Sequence, residues 1–161
     1  MESNGKSVDA WGQPVTVPTS EVVWGEAGTN GQHAFFQMIH QGTDVTPVEF
    51  ILVKRPCEPM MAAADPALRA HWQAQHQALL ANGLAQAKAL MLGKAFEQAL
   101  GEHAPTASPS LSPEELARHR TFPGNRPSIT LLLDQLSPAS LGALLALYEH
   151  RTFATAALWG I

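Results

Sequence analysis

The chain has 161 residues, 45% of them apolar and 15% charged, with a net charge of −4. That length supports one domain with a real core, and the absence of a basic excess argues against an electrostatic grip on nucleic acid or an anionic membrane. The single cysteine, Cys57, excludes an internal disulfide and a multi-cysteine zinc site and suits a reducing compartment.

The N-terminal stretch MESNGKSVDAWGQ has no basic-plus-apolar signal pattern. No run approaches the roughly 18 apolar residues of a membrane span, so a cytoplasmic protein is the default expectation. The first 23 residues mix Gly, Pro, Ser and Val, and VTVPTSEVVW predicts short extended pieces around turns, or a hairpin. WGEAGTNGQHAFFQMIHQGTD, Trp24 to Asp44, predicts a glycine-rich turn leading into a helix over 31–41 that stops near Gly42. Thr29 or Asn30 is the expected cap. PVEFILVKRP predicts a strand, and the continuous apolar run Phe50 to Val53 is the pattern of a strand covered on both faces.

A long helix is expected from Pro66 to about Leu100, with Leu79, Leu80, Leu84, Ala87, Leu90 and Met91 at helical spacing. Pro and Ser cluster in HAPTASPSLSPEE, so residues 101–127 read as loop, with a brief helix capped by Ser112. SITLLLDQ, Ser128 to Gln135, predicts a second buried strand. Ser137 and Pro138 then open a helix whose pattern persists to Ile161. Strand, helix, strand, helix implies an α/β layered fold with a largely parallel sheet, although two strands are few for such a sheet.

Residue chemistry alone leaves several readings open. The helix opening GEAGTNGQH offers free backbone N–H groups to an anion or carbonyl oxygen, but a tight helix entry explains it as well. It is neither a P-loop nor a dinucleotide fingerprint. His33, Gln37 and His40 fall at i, i+4 and i+7 on one helix face. A zinc site there lacks a carboxylate at ligand spacing, and polar residues at a helix or subunit contact explain the trio better. His71 and His76 point in different directions and read as surface or interface residues. No G-x-S-x-G elbow supports serine catalysis.

Taken together, four segments resemble the glucose-6-phosphate isomerase (phosphoglucose isomerase) family. They are MESNGK, WGEAGTNGQHAFFQMIHQGT, HQALLANGLAQAKALMLGK and FPGNRPSITLLLDQLSPASLGALLALYEH, in that order along nearly the whole chain. Ala27, where the family usually has proline, and Phe36, where it commonly has tyrosine, are departures that leave the motifs intact. The resemblance implies a sugar-isomerase (SIS) domain, a parallel sheet flanked by helices, here truncated at both ends. On this reading residues 1–161 are part of the second sugar-isomerase domain of a longer enzyme. Residues 1–25 form a motif and hairpin-like segment, and 26–161 the α/β core segment.

The activity implied is reversible aldose–ketose isomerisation of glucose 6-phosphate and fructose 6-phosphate, without cofactor or metal, in glycolysis and gluconeogenesis. Glu2 matches the family's glutamate, the base that moves a proton at C2 through a cis-enediol intermediate. His33 matches the histidine that assists ring opening and reaches the neighbouring subunit's site, which implies a homodimer. His33 would then stand in the first helical turn, where the N-terminal dipole disfavours the imidazolium. Gln37 and His40 are expected as interface or support residues. The phosphate-binding loops, an arginine near the intermediate, and the C-terminal glutamine and lysine of the family have no matching motif here, so the 161-residue chain by itself is expected to be inactive. A non-catalytic sugar-phosphate-binding module is the alternative, and a structural piece that docks on partner chains is a third reading.

Overall fold

A computed structural model describes residues 2–19, 21–56, 62, 64–102 and 111–161, with the backbone alone for Glu2. Cys57 and most of the Pro/Ser-rich stretch before Ser112 lie outside the described residues. The described residues fall into two compact units, Glu26–Gln135, and Met1–Gly25 with Leu136–Ile161.

In the first unit the chain runs through α1 (Gly28–Ala34), α2 (Phe36–Gln41), β1 (Val48–Arg55) and α3 (Pro66–Leu92). It continues through β2 (Gly93–Lys94), α4 (Phe96–Gly101), α5 (Pro113–Arg120), β3 (Phe122–Pro123) and β4 (Ser128–Gln135). Strands β1 and β4 pair in parallel, with Val48 opposite Ser128 and Arg55 opposite Gln135. A parallel pair needs a long crossover, which α3 and the elements after it supply. The result is an α/β arrangement, a parallel sheet flanked by helices.

Alternation along β1 sends Val48, Phe50 and Leu52 to one face. On that face Val48 and Phe50 pack against a core of Phe36, Ile39 and Leu90, and a Cβ added to Gly83 of α3 would lie 2.7 Å from a Leu52 methyl. Helices α2 and α3 therefore close directly on this face. The opposite face carries Ile51 and Ile129, 44% and 56% exposed. Leu131 and Leu133 on the same face are half-buried.

Local sequence rules account for most boundaries. Asp65 caps α3, its Oδ1 accepting from Ala67 and Leu68 N–H, with Pro66 at the first position. Ser112 and Glu115 form a reciprocal capping box on α5. Helix α3 stops at Leu92, short of the expected Leu100. Gly93, at φ 68° and ψ −166°, occupies a region open essentially to glycine, and β2 there pairs antiparallel with β3. The segment after β3 finishes the helix. Asn125 N–H donates to Met91 O at 2.9 Å and Arg126 N–H to Leu90 O at 3.0 Å, so carbonyls left over at the C-terminus of α3 are satisfied from 34 (125 − 91) and 36 (126 − 90) residues downstream.

In the second unit a short 3-10 turn (Glu2–Asn4) meets α6 (Pro138–Trp159). Ser137 caps α6, and Gly160 ends it in the left-handed region at φ 71°, two residues before the expected limit. The predicted hairpin in VTVPTSEVVW is replaced by a tighter reversal upstream. Asp9 Oδ1 accepts from the backbone N–H of Trp11 and Gln13, and Val8 bridges Pro14.

Candidate active site

Glu2 opens the 3-10 turn that Asn4 closes, and Asn4 is the anchor of that turn. Asn4 is 7% exposed, and its Nδ2 donates to the Thr152 carbonyl of α6 at 3.1 Å. Thr152 in turn donates its hydroxyl to Tyr148 O at 3.0 Å, so the carbonyl that receives Asn4 sits on a well-bonded helical turn. Lys6 N–H donates to Asn4 O at 2.9 Å, which holds the chain just past the turn. A carboxamide buried with a carbonyl partner fixes the local backbone, since breaking that bond would leave a desolvated donor.

His33 lies in the last turn of α1, because the helix begins at Gly28 with Ala27 as a cap that offers no side-chain bond. Two expectations are corrected by this start. Neither Thr29 nor Asn30 is the cap, since both already sit inside the first turn. The N-terminal dipole argument for His33 does not apply either. Phe35, at φ −142° and ψ −2°, separates α1 from α2, yet its N–H still reaches Gly31 O and its carbonyl receives Ile39 N–H. The Phe35 ring lies over Gly31, where an added Cβ would be 2.8 Å from the ring, whereas Cβ atoms at Gly25 and Gly28 would meet nothing. Of these three glycines, Gly31 is the one that packing requires within this chain.

The break divides the histidine face. His33 is exposed and makes no hydrogen bond among the described residues, and Gln37 is exposed with a 3.5 Å contact to Gln41. His40 is half-buried. Its Nε2 is 3.2 Å from Gln86 Oε1 of α3, and its ring lies 4.8 Å from the Phe122 ring. Gln41 Nε2 donates to His119 O at 2.8 Å and Thr121 O at 3.0 Å, tying α2 to the end of α5. Arg126, 8% exposed, donates to Gly42 O at 2.5 Å and Asp44 O at 3.1 Å. The polar side chains of HAFFQMIHQGT thus serve two ends. His40 and Gln41 hold the helix down, and His33 is left free at the other end.

Glu2 and His33 fall in different units, each held by its own set of contacts. His76, half-buried on α3, has its Nε2 3.3 Å from Lys54 O, and His71 is exposed. Among the described residues no group of three His, Cys, Asp or Glu side chains could hold a metal. A cavity of about 220 Å³ is lined by Ala99, Leu116 and Arg120 of α4 and α5 and includes neither Glu2 nor His33. No helix among the described residues is long and apolar enough to cross a membrane. Asn4, Gln41, Gln86 and Arg126 escaped the sequence reading. Each bonds to an element at least 46 residues away, and the only available signal was their position inside the long motifs.

A family profile described as phosphoglucose isomerase matches residues 1–161. The glucose-6-phosphate isomerase of Leptothrix cholodnii is 63% identical over the whole chain, and that of Methylibium petroleiphilum 58%. In both cases the chain spans 29% of the relative's length. The crystal structure of a glucose-6-phosphate isomerase from Chlamydia trachomatis superposes with a TM-score of 0.71 at 36% identity, covering all of this chain and 26% of that one.

Proposed function

The chain belongs to the phosphoglucose isomerase family, and from that membership we propose that the protein carrying it interconverts D-glucose 6-phosphate and D-fructose 6-phosphate. The observation that carries the reading is a match over all 161 residues, with Glu2 and His33 each inside a family motif. Glucose-6-phosphate isomerases 58–63% identical to the chain support the same conclusion.

The chemistry assigns the two residues distinct tasks. The cyclic sugar must open before any proton can leave C2, because that proton is acidic only beside a free carbonyl. His33 moves a proton at the ring oxygen. The Glu2 carboxylate then removes the C2 proton, giving a cis-enediolate, and returns it at C1 as the hydroxyl proton passes from O2 to O1 and the carbonyl shifts to C2. One positioned acid–base group contributes about 10²–10⁴ in rate. The exposure of His33, with no hydrogen bond among the described residues, suits a side chain given to a neighbouring subunit in a homodimer. The setting proposed is cytoplasmic glycolysis and gluconeogenesis, with no cofactor.

A coupled assay of the full-length protein tests the reading. Conversion of fructose 6-phosphate to glucose 6-phosphate is the expected result. Binding of either sugar phosphate without turnover would favour the non-catalytic binding module instead.

A further inference from the structure

We propose that Arg126 is a positioning residue for His33, acting through the end of α2. The proposal rests on the ring-opening role assigned to His33 above. Arg126 is 8% exposed, and among the described residues no carboxylate pairs with it. A buried guanidinium in that state is costly unless its donors are used. Its fork spends them on two carbonyls two positions apart, Gly42 O and Asp44 O, which are the first turn of chain beyond α2.

The base of this clamp is rigid. Arg126 N–H is bonded to Leu90 O, and Leu90 is fully buried in the core. Pro127 follows and fixes its own φ, while Asn125 sits at φ 57° and bonds Met91 O. The clamp therefore refers the end of α2 to the most buried point of the fold. At the other end, His33 has no side-chain hydrogen bond among the described residues. Its place is set by the backbone of α1, which joins α2 through the bonds of Phe35 to Gly31 and Ile39. A shift at Gly42–Asp44 is passed along α2 to α1 and so to the imidazole. His40 and Gln41 also hold α2, so loosening the clamp displaces the element without releasing it.

Lysine keeps the charge but presents one ammonium, which cannot reproduce the two-carbonyl fork. The test uses the full-length protein with Arg126→Lys, Arg126→Gln, His33→Ala and the Arg126→Lys/His33→Ala pair. Each is assayed on fructose 6-phosphate and on its 5-deoxy analogue, which cannot close a furanose ring. Displacement of a catalytic group by about an ångström costs on the order of 10²-fold. Arg126→Lys should lower kcat on the cyclic sugar by about tenfold or more and on the open sugar by less than about threefold. Added to His33→Ala, it should cost little further. Equal losses on both sugars, or full additivity with His33→Ala, would overturn the proposal while leaving the His33 assignment intact. If His33→Ala itself shows no preference between the two sugars, the assignment fails and the proposal fails with it. Should Arg126→Gln not fold, the lysine variant decides alone.

Discussion

His33 and Glu102 show how differently two exposed side chains can be read. His33 makes no hydrogen bond among the described residues, so its removal should cost almost no stability and any effect should be on chemistry. In the full-length protein, His33→Ala is expected to slow the cyclic substrate by about 10²-fold and the open-chain analogue far less, with an unchanged melting temperature. Glu102 is the opposite case. It accepts from Lys94 Nζ at 3.0 Å and is also paired with Arg120. The Lys94 hydrogen bond first, and the charges of Lys94 and Arg120 after it, hold its carboxyl below the usual range. A depressed carboxyl adds stability above its unfolded pKa and loses it as pH falls through the folded value. Glu102→Gln should therefore melt slightly below the wild type near pH 7, and the gap should close on acidification. A gap that persists at about pH 2 would mean the pairing is not its source.

At the scale of elements, the parts that follow local rules were legible and those set by distant contacts were not. Strands β1 and β4 announced themselves as apolar runs between turn residues, and the Ser112 and Ser137 caps as Ser-Pro starts. The end of α3 did not, because leucine and alanine continue past it in the sequence. What stops the helix is Gly93, against which the backbone of Gly124 closes, and that contact spans 31 residues (124 − 93). A Cβ at Gly93 would lie 2.3 Å from Gly124 N in a backbone region costly to any other residue. Gly93→Ala is accordingly expected to destabilise by about 2 kcal/mol or more, measured by denaturant midpoint at unchanged m. The break at Phe35 was hidden for the same reason, since it depends on a ring seated on Gly31 rather than on a helix-breaking residue. As for the candidate site, Glu2 and His33 are proposed from their motifs. The residues that hold their elements, Asn4 and Arg126, could not be found that way, because a buried amide or guanidinium looks like any surface polar group until its carbonyl partners are placed.

For the whole molecule, the proposed reaction needs both Glu2 and His33, and the chain spans 29% of the length of the relatives it matches. The account stands on Glu2 being the base that handles the C2 proton. Glutamine in its place keeps size and hydrogen bonding but cannot accept that proton. If Glu2 only capped or paired near a helix end, its loss would cost about 1 kcal/mol of stability and leave the reaction running. The direct measurement is exchange of the substrate's C2 hydrogen with solvent deuterium by folded, full-length Glu2→Gln protein. The account predicts that exchange and turnover vanish together while sugar-phosphate inhibitors still bind. Persistent C2 exchange in that variant would contradict it.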